Sequence, residues 1–285
     1  MEKFDLAIVG GGIAGYTAAL VSRNFQLNYV WLGEEMLGKK LLAAEYVRNF
    51  PSFTGDGGAF SAALFRQAEK ENVILTPARV DGIFQSGGEY LLSCGEKAFS
   101  ARAVILATGV ETAGEIKGER EFLGRGISYC AVCDGALYRG KEIAVVLYSD
   151  TYAEEVEYLA GFASRVNCFC LCPAPAFKAN NITLREGRPL EISGGERVQA
   201  VRTKEGEVPA EGVFLLRRSA PPAALVGGLH TTESGYVETA RDGSTNLKGL
   251  FAAGDITGTP YQYVKAAGEG CVAAYSARAY LKSLK

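Results

Sequence analysis

Apolar residues in this chain come in short runs broken by glycine, and their spacing predicts alternating strands and helices. Phe4 to Val9 is a short apolar run. Glycines follow it, then a stretch from Ile13 to Asn24 that reads as a helix, then a second run from Leu27 to Leu32 ending at Glu34 and Glu35. That order is strand, glycine turn, helix, strand, acid. Residues 59–70 (AFSAALFRQAEK) read as a helix, and residues 73–106 alternate short strand-like runs with Gly and Asp turns, finishing in AVILATG at 103–109. A second βαβ pattern starts at Lys141, with a strand to Leu147, a helix from Tyr152 to Phe162 and a strand from Val166 to Leu171. After Pro173 the pattern is a β-meander with turns at Glu186-Gly187, Gly194-Gly195 and Glu205-Gly206. From Gly235 onward come GLFAAGD (249–255) and a C-terminal helix from Val264 to Leu281. There is no fixed-period repeat; the two βαβ units are candidates for distant structural cousins.

With 285 residues, 48% of them hydrophobic, the chain is long enough for two modest domains with cores of their own. A net charge of −2 and a pI near 5.7 leave no basic excess, which argues against nucleic acid and anionic lipid as partners. The N-terminus, MEKFDLAIVGGGIAGYTAAL, lacks the basic start and unbroken apolar stretch of a signal peptide. No apolar run is long enough to span a bilayer, so the expectation is a soluble, cytoplasmic protein without membrane attachment. The 7 cysteines are an odd number spread over a long chain, unlike the framework of a small secreted domain.

Gly10, Gly12 and Gly15 fit the G-x-G-x-x-G spacing of a dinucleotide-binding turn. The first glycine allows the tight turn, the second lets backbone approach a pyrophosphate, and the third lets helix and strand pack closely. The phosphate would sit at the positive end of the helix. With 35 glycines in the chain the spacing alone is weak. Its context strengthens it: a strand precedes it, and Glu34 and Glu35 fall about 20 residues later, where a ribose hydroxyl needs an acceptor.

Cys130 and Cys133 form a C-x-x-C pair. Two thiols so spaced at a helix start can close a small disulfide, and the helix dipole favours the thiolate of the first. Zinc is the competing use, but there is no second C-x-x-C and only 1 histidine, His230, to which no role is assigned. Cys168, Cys170 and Cys172 have the period-two spacing that places all three on one face of a strand, an ordinary way to bury small apolar side chains. An iron–sulfur cluster would need a fourth cysteine, normally on a wrapping loop.

Taken together, GGGIAG (10–15), VRNFP (47–51), ILATG (105–109), GRGISYCAVCDG (124–135) and GLFAAGD (249–255) resemble the low-molecular-weight thioredoxin reductase family. The resemblance covers nearly the whole chain. It implies an α/β protein of two Rossmann-like, three-layer domains: an FAD domain made of residues 1–115 and 234–285, with a smaller disulfide-carrying domain, residues 116–233, inserted between. Linkers for rotation of the inserted domain are expected near 113–118 and 231–235. Gly10, Gly12, Ile13, Ala14 and Gly15 would face the FAD pyrophosphate, Glu34 or Glu35 the adenosine ribose, Asn49 and Thr108 the flavin region, and Asp255 the ribityl chain. Lys40, Val80, Gly109, Gly254, Gln262 and Tyr263 complete the implied cofactor set. The family's Arg-Gln pair after Pro-Tyr is replaced by Pro260-Tyr261-Gln262-Tyr263, which makes Tyr263 a candidate to stack on the flavin. By position, Cys133 is the flavin-side sulfur, Cys130 exchanges with the partner disulfide, and Asp134 moves the proton as thiols form. The family also implies thioredoxin as partner and a homodimer.

The family's second glycine fingerprint, for NADPH, is absent. Its positions hold Leu147, Tyr148 and Ser149, Tyr152 replaces a small residue, and Cys170-Leu171-Cys172 stands where a basic cluster for the 2′-phosphate is expected. The resemblance is therefore closest to ferredoxin-dependent flavin thioredoxin reductases, with electrons running from ferredoxin to FAD, to the Cys133-Cys130 disulfide and to thioredoxin. Ferredoxins are acidic, so a basic docking patch is expected, with Lys39-Lys40, Arg139-Lys141 and Arg217-Arg218 as candidates. Three alternatives stay open: an NADPH-dependent reductase with a degenerate site, a reductase fed by a second flavin in the altered domain, and a redox-sensing flavoprotein whose C-x-x-C switches partner binding without turnover.

Overall fold

The structure, a computed structural model, describes residues 1–285 except 38–40, 43, 45, 111–115, 218–220 and 285, and the side chain of Cys133. The chain forms two compact α/β units, one of Met1–Val110 with Pro221–Lys285 and one of Glu111–Ala220.

The first unit is built on a seven-stranded sheet. Its strands are β1 (Glu2–Val9), β2 (Tyr29–Gly33), β5 (Thr76–Pro77), β6 (Gly82–Ser86), β7 (Glu89–Cys94), β8 (Lys97–Leu106) and β17 (Leu250–Ala252). A separate hairpin pairs β3 (Val47–Phe50) with β4 (Phe53–Gly55). In the sheet, β1 pairs in parallel with β2 and β8, and β17 pairs in parallel with the second half of β8. The register sets Val9 beside both Leu32 and Leu106, and Leu106 beside Ala252. Four parallel strands thus end level, bringing Gly10, Gly33, Ala107 and Ala253 to one edge although they are distant in sequence.

Helices α1 (Ile13–Asn24), α2 (Gly57–Lys70), α5 (Pro222–Leu225) and α6 (Tyr263–Ser283) belong to this unit. Helix α2 starts two residues before the sequence-predicted 59, because the Asp56 carboxylate caps it by accepting from the Ala59 N–H at 2.8 Å. The core joins Leu6, Ile8, Trp31, Ile105 and Phe251 of the sheet to the alanines of α1 and α6. Those helices cross at backbone contact, since a Cβ on Gly270 would lie 2.2 Å from the Ala14 carbonyl oxygen.

The second unit carries the parallel strands β9 (Ile127–Ser128), β10 (Glu142–Leu147), β11 (Arg165–Cys170), β12 (Ile182–Leu184) and β16 (Gly212–Leu216), in the order β12-β11-β10-β16-β9. Strands β13 (Glu191–Gly194), β14 (Val198–Arg202) and β15 (Glu207–Pro209) form the antiparallel meander expected after Pro173. Strand β12 does not join it but extends the parallel sheet beside β11. Helix α3 (Ala131–Asp134) is a single turn, and α4 (Ala153–Ala160) packs Val156 and Leu159 on the sheet's Val145 and Phe214.

Residues 221–233 cluster with the first unit rather than with the inserted one, where the sequence reading put them. Val226, just past α5, bridges Ile83 of β6 and is fully buried, so this segment packs on the first unit's own sheet. No described helix is long and apolar enough to cross a membrane.

Candidate functional site

The level strand ends of the first unit form a cradle. Gly10 has φ +122°, and a Cβ there would lie 2.2 Å from the Ala107 carbonyl oxygen; a Cβ on Gly15 would lie 1.9 Å from that of Gly10. Both positions are closed to any side chain by backbone of their own unit. Gly12 is different: a Cβ there would meet nothing within 4 Å. Its bare backbone faces open space at the start of α1, where amide N–H groups favour a phosphate. The Trp31 indole donates to the Gly10 carbonyl at 2.9 Å and fixes the turn, while Ile13 and Ala14 are buried in the first turn of α1.

Other predicted cofactor residues gather on the same unit. Thr108 follows β8, and its hydroxyl is buried without a hydrogen-bond partner among the described residues. A buried hydroxyl costs free energy unless something pairs with it. The Asn49 amide donates to Gln262 Oε1 at 2.6 Å, joining two of the predicted residues across 213 positions of sequence. Gly109 has φ +70°, and Gly254, with φ +89°, precedes the short helical turn Asp255–Thr257. Glu34 and Glu35 are exposed beyond β2, and Val80 is half-buried in the loop after β5. Tyr263 opens α6 with its ring 5.9 Å from Phe60, on the core side of the helix. Lys40 lies outside the described residues.

A polar latch under this cradle was not anticipated from the sequence. Lys265 Nζ donates to the carbonyls of Gly254 (3.0 Å) and Gly258 (2.8 Å) and to Thr257 Oγ1 (3.0 Å). Glu269, one turn on, accepts from the Gly254 N–H at 2.8 Å and the Thr257 hydroxyl at 2.9 Å. Together they hold the turn carrying Asp255 against α6. The open position at Gly12, the orphaned Thr108 hydroxyl and the acids after β2 fit a dinucleotide-type cofactor.

In the second unit Cys130 is disulfide-bonded and buried, immediately before the single turn α3. Cys94, Cys168, Cys170, Cys172 and Cys271 are free. Half-buried Asp134 ends α3, and its carboxylate accepts from the Ser128 hydroxyl at 2.6 Å. Cys168 and Cys170 bring their sulfurs to 3.7 Å of each other, as one strand face requires. Burial, reinforced by Cys170, pushes the Cys168 thiol well above its ordinary range. Among the described residues, no group of His, Cys, Asp and Glu is disposed to hold a metal.

The carboxyl ends of β10 and β16 flank the point where strand order reverses, the usual ligand crevice of an open parallel sheet. Here it is filled. Tyr148 follows β10 and Arg217 follows β16, side by side in the Leu147–Leu216 register. The Arg217 guanidinium lies 5.7 Å from the Tyr148 ring centre and 5.2 Å from that of Tyr129. Its Nη2 donates to Glu119 Oε1 at 2.5 Å, and the same oxygen accepts from the Tyr129 hydroxyl at 2.6 Å. Glu119 Oε2 accepts from the Ile116 N–H at 3.1 Å. The side chains of Glu119 and Arg217 are only 1% and 6% exposed. Burial raises the Tyr148 phenol, against an opposing pull from Arg217. Arg217, expected on a basic docking surface, is therefore internal because Glu119, 98 residues away in sequence, neutralises it; Arg218, Lys39 and Lys40 lie outside the described residues. Arg139 and Lys141 lie over the rings of Phe162 and Tyr138.

The sequence model of the pyridine nucleotide-disulphide oxidoreductase family matches residues 4–149 and 173–270. The chain belongs to that family. Within it, the chain is 33% identical to the thioredoxin reductase of Bacillus subtilis over 99% of its own length and 96% of that protein's. It is 32% identical to the thioredoxin reductase of Listeria monocytogenes over 99% of this chain and 95% of that one. A crystal structure of a ferredoxin-flavin thioredoxin reductase from Clostridium acetobutylicum matches with a TM-score of 0.90 at 35% identity, covering 100% of this chain and 99% of that one. A thioredoxin reductase from Gloeobacter violaceus matches with a TM-score of 0.75 at 34% identity, covering 100% and 96%. The protein is thus a flavin-dependent disulfide oxidoreductase of the low-molecular-weight thioredoxin reductase family, and the fold expected from the sequence is the fold it has.

Proposed function

We propose that the protein is a thioredoxin-disulfide reductase that takes its electrons from reduced ferredoxin. Electrons pass from ferredoxin through FAD to a Cys130–Cys133 disulfide and on to thioredoxin. The observation that carries this reading is the filled crevice of the second unit. A dinucleotide pyrophosphate needs bare backbone and a positive helix start. Here Tyr148, Tyr129 and the Glu119–Arg217 pair take the space, and the helix beyond opens with Glu154 and Glu155 in its first turn, where a phosphate would be repelled. The likeness to a ferredoxin-flavin thioredoxin reductase of known structure supports the same donor.

FAD is the flavin this reading assigns to the cradle. Gly10, Gly12, Ile13, Ala14 and Gly15 receive its pyrophosphate, Glu34 or Glu35 its adenosine ribose, and Asp255 its ribityl chain. Thr108, Gly109, Asn49 and Gln262 take the flavin end, with Lys40, Val80, Gly254 and Tyr263 at the margin. A bound flavin supplies the conversion between electrons that arrive singly and electrons that leave in pairs. Cys133 is the sulfur on the flavin side, Cys130 exchanges with thioredoxin, and Asp134 holds or releases the accompanying proton. The same reading takes the protein to be a cytoplasmic homodimer.

The test is reconstitution under anaerobic conditions: the FAD-loaded protein, oxidised thioredoxin, and either reduced ferredoxin or NADPH, with thioredoxin thiols counted over time. Thiols should accumulate with ferredoxin and stay at background with NADPH. Equal or faster turnover with NADPH would overturn the assignment of the donor, and no turnover with either would favour a redox sensor.

A further inference from the structure

Ser128 ends strand β9 with its side chain buried, 4% exposed, two residues before Cys130. Its hydroxyl oxygen accepts from the Cys130 backbone N–H at 3.1 Å and lies 2.6 Å from Asp134 Oδ2. A hydroxyl has one proton to donate. The other acceptor within reach, the Cys130 carbonyl, is at 3.2 Å, so the short contact to the carboxylate takes it. The Cys130 carbonyl in turn accepts from the Asp134 N–H at 3.3 Å, closing the single turn of α3. One buried hydroxyl thus ties the backbone of the exchanging cysteine to the carboxylate four residues on.

We propose that Ser128 is a positioning residue for proton transfer at the redox disulfide, acting through Asp134. This rests on the reading of the Cys130–Cys133 pair and Asp134 given above. Reduction of the disulfide takes two electrons from the reduced flavin and breaks the sulfur–sulfur bond. Each sulfur leaves as a thiolate, and a proton must reach it if it is to stand as a thiol. When those electrons pass on to a partner disulfide, the pair closes again, the partner becomes the dithiol, and the proton must leave. A carboxyl group that gives and regains that proton works best when it is held in place and aimed. The hydroxyl does both: it donates a charge-assisted hydrogen bond to the anion, and its second contact keeps the Cys130 main chain in register with it. Without the hydroxyl the carboxylate is free to rotate about its side-chain bonds, and a misplaced proton carrier slows transfer even when the cysteines are intact.

The test uses the FAD-loaded, full-length protein reduced photochemically, so that it does not depend on the natural donor. The reduced protein is mixed anaerobically with oxidised thioredoxin, and in parallel with the small aromatic disulfide DTNB, while flavin reoxidation is followed by absorbance. Ser128→Ala should slow reoxidation about tenfold with either acceptor, the size expected for losing a hydrogen bond to a charged group. Its flavin content should be unchanged and its solvent deuterium isotope effect larger than that of the unmodified protein. Ser128→Thr, which keeps the hydroxyl, should recover most of the rate. Ser128→Ala combined with Asp134→Asn should be no slower than Asp134→Asn alone, because the serine acts only through the acid. A rate for Ser128→Ala within twofold of the unmodified protein, or a slower rate with an unchanged isotope effect and additive losses in the double variant, would overturn the proposal. Failure with thioredoxin but success with DTNB would count against the partner alone, and the comparison of variants with DTNB would still decide the role of Ser128.

Discussion

Replacing Glu119 by glutamine tests whether the filled crevice is a built part of the second unit. The substitution keeps the shape and one accepting oxygen but removes the charge that faces Arg217. That guanidinium is 6% exposed and sits between two tyrosine rings, so water cannot replace the lost carboxylate without opening the crevice. Breaking a buried pair by removing one partner costs about 3–5 kcal/mol, a large share of the roughly 5–15 kcal/mol that stabilises a folded protein. With its one oxygen kept toward Arg217 and Tyr129, the amide turns its NH2 toward the Ile116 N–H, so that hydrogen bond is lost as well. Hydrogen exchange under native conditions reads this locally. Amides of β10 and β16 should lose about 3 kcal/mol or more of protection, consistent with that range, while those of β1 and β8 in the other unit keep theirs. Adding Arg217→Met should restore much of the loss, because the pair is then replaced by neutral groups of similar bulk. A loss below about 1 kcal/mol, the level of an exposed ion pair, or a double variant worse than the sum of the singles, would refute this account of the crevice.

Four further outcomes follow from the same geometry. Gly12→Ala should leave a folded protein with little bound flavin, because its methyl enters open space in the cradle, whereas Gly15→Ala should misfold because its methyl would strike the Gly10 carbonyl; circular dichroism and flavin absorbance separate the two. Cys133→Ser should retain FAD but abolish electron delivery to thioredoxin, and retained turnover would reverse the cysteine assignment. Lys265→Met should speed flavin loss on dilution several-fold by freeing the Gly254–Gly258 turn, with overall stability little changed. Burial and the nearby Asp81 push the Cys94 thiol up to about 12, so thiolate is scarce below that pH. Iodoacetamide at pH 8 should therefore leave Cys94 unlabelled in the native protein and label it after denaturation, which mass spectrometry reads directly.

The elements that the sequence made legible are those whose physics is local. Alternation of apolar runs with glycine placed β1, α1, β2, β10 and α6 to within a few residues, because burial on one side and a turn at the end leave a repeating mark. The glycine turn was legible for the same reason: Gly10 and Gly15 have no room for a side chain, and Gly12 opens onto free space. Less legible were features that depend on two distant segments meeting. Arg217 next to Arg218 reads as solvated surface until the fold sets Glu119 beside it. Pro221-Pro222 marks a loop at the boundary but does not show which unit 221–233 joins; the bridge from Val226 to Ile83 decides it. Lys265 and Glu269 look like an ordinary helix-surface pair, and their hold on the Gly254 turn needs the strand β17 that delivers it. The missing second glycine fingerprint pointed to the end of β10, where the structure places Tyr148 beside Arg217 and Glu119.

The measurement that bears most directly on the account is anaerobic flavin reduction. The yellow protein is mixed with excess NADPH and, separately, with chemically reduced ferredoxin, and the flavin absorbance is followed in a stopped-flow instrument. The account predicts rapid bleaching by ferredoxin and none by NADPH over the same time, since Tyr148, Arg217 and Glu119 occupy the crevice a nicotinamide dinucleotide would need. Rapid bleaching by NADPH would contradict it and make this a nicotinamide-dependent reductase whose nucleotide binds elsewhere or displaces that buried cluster.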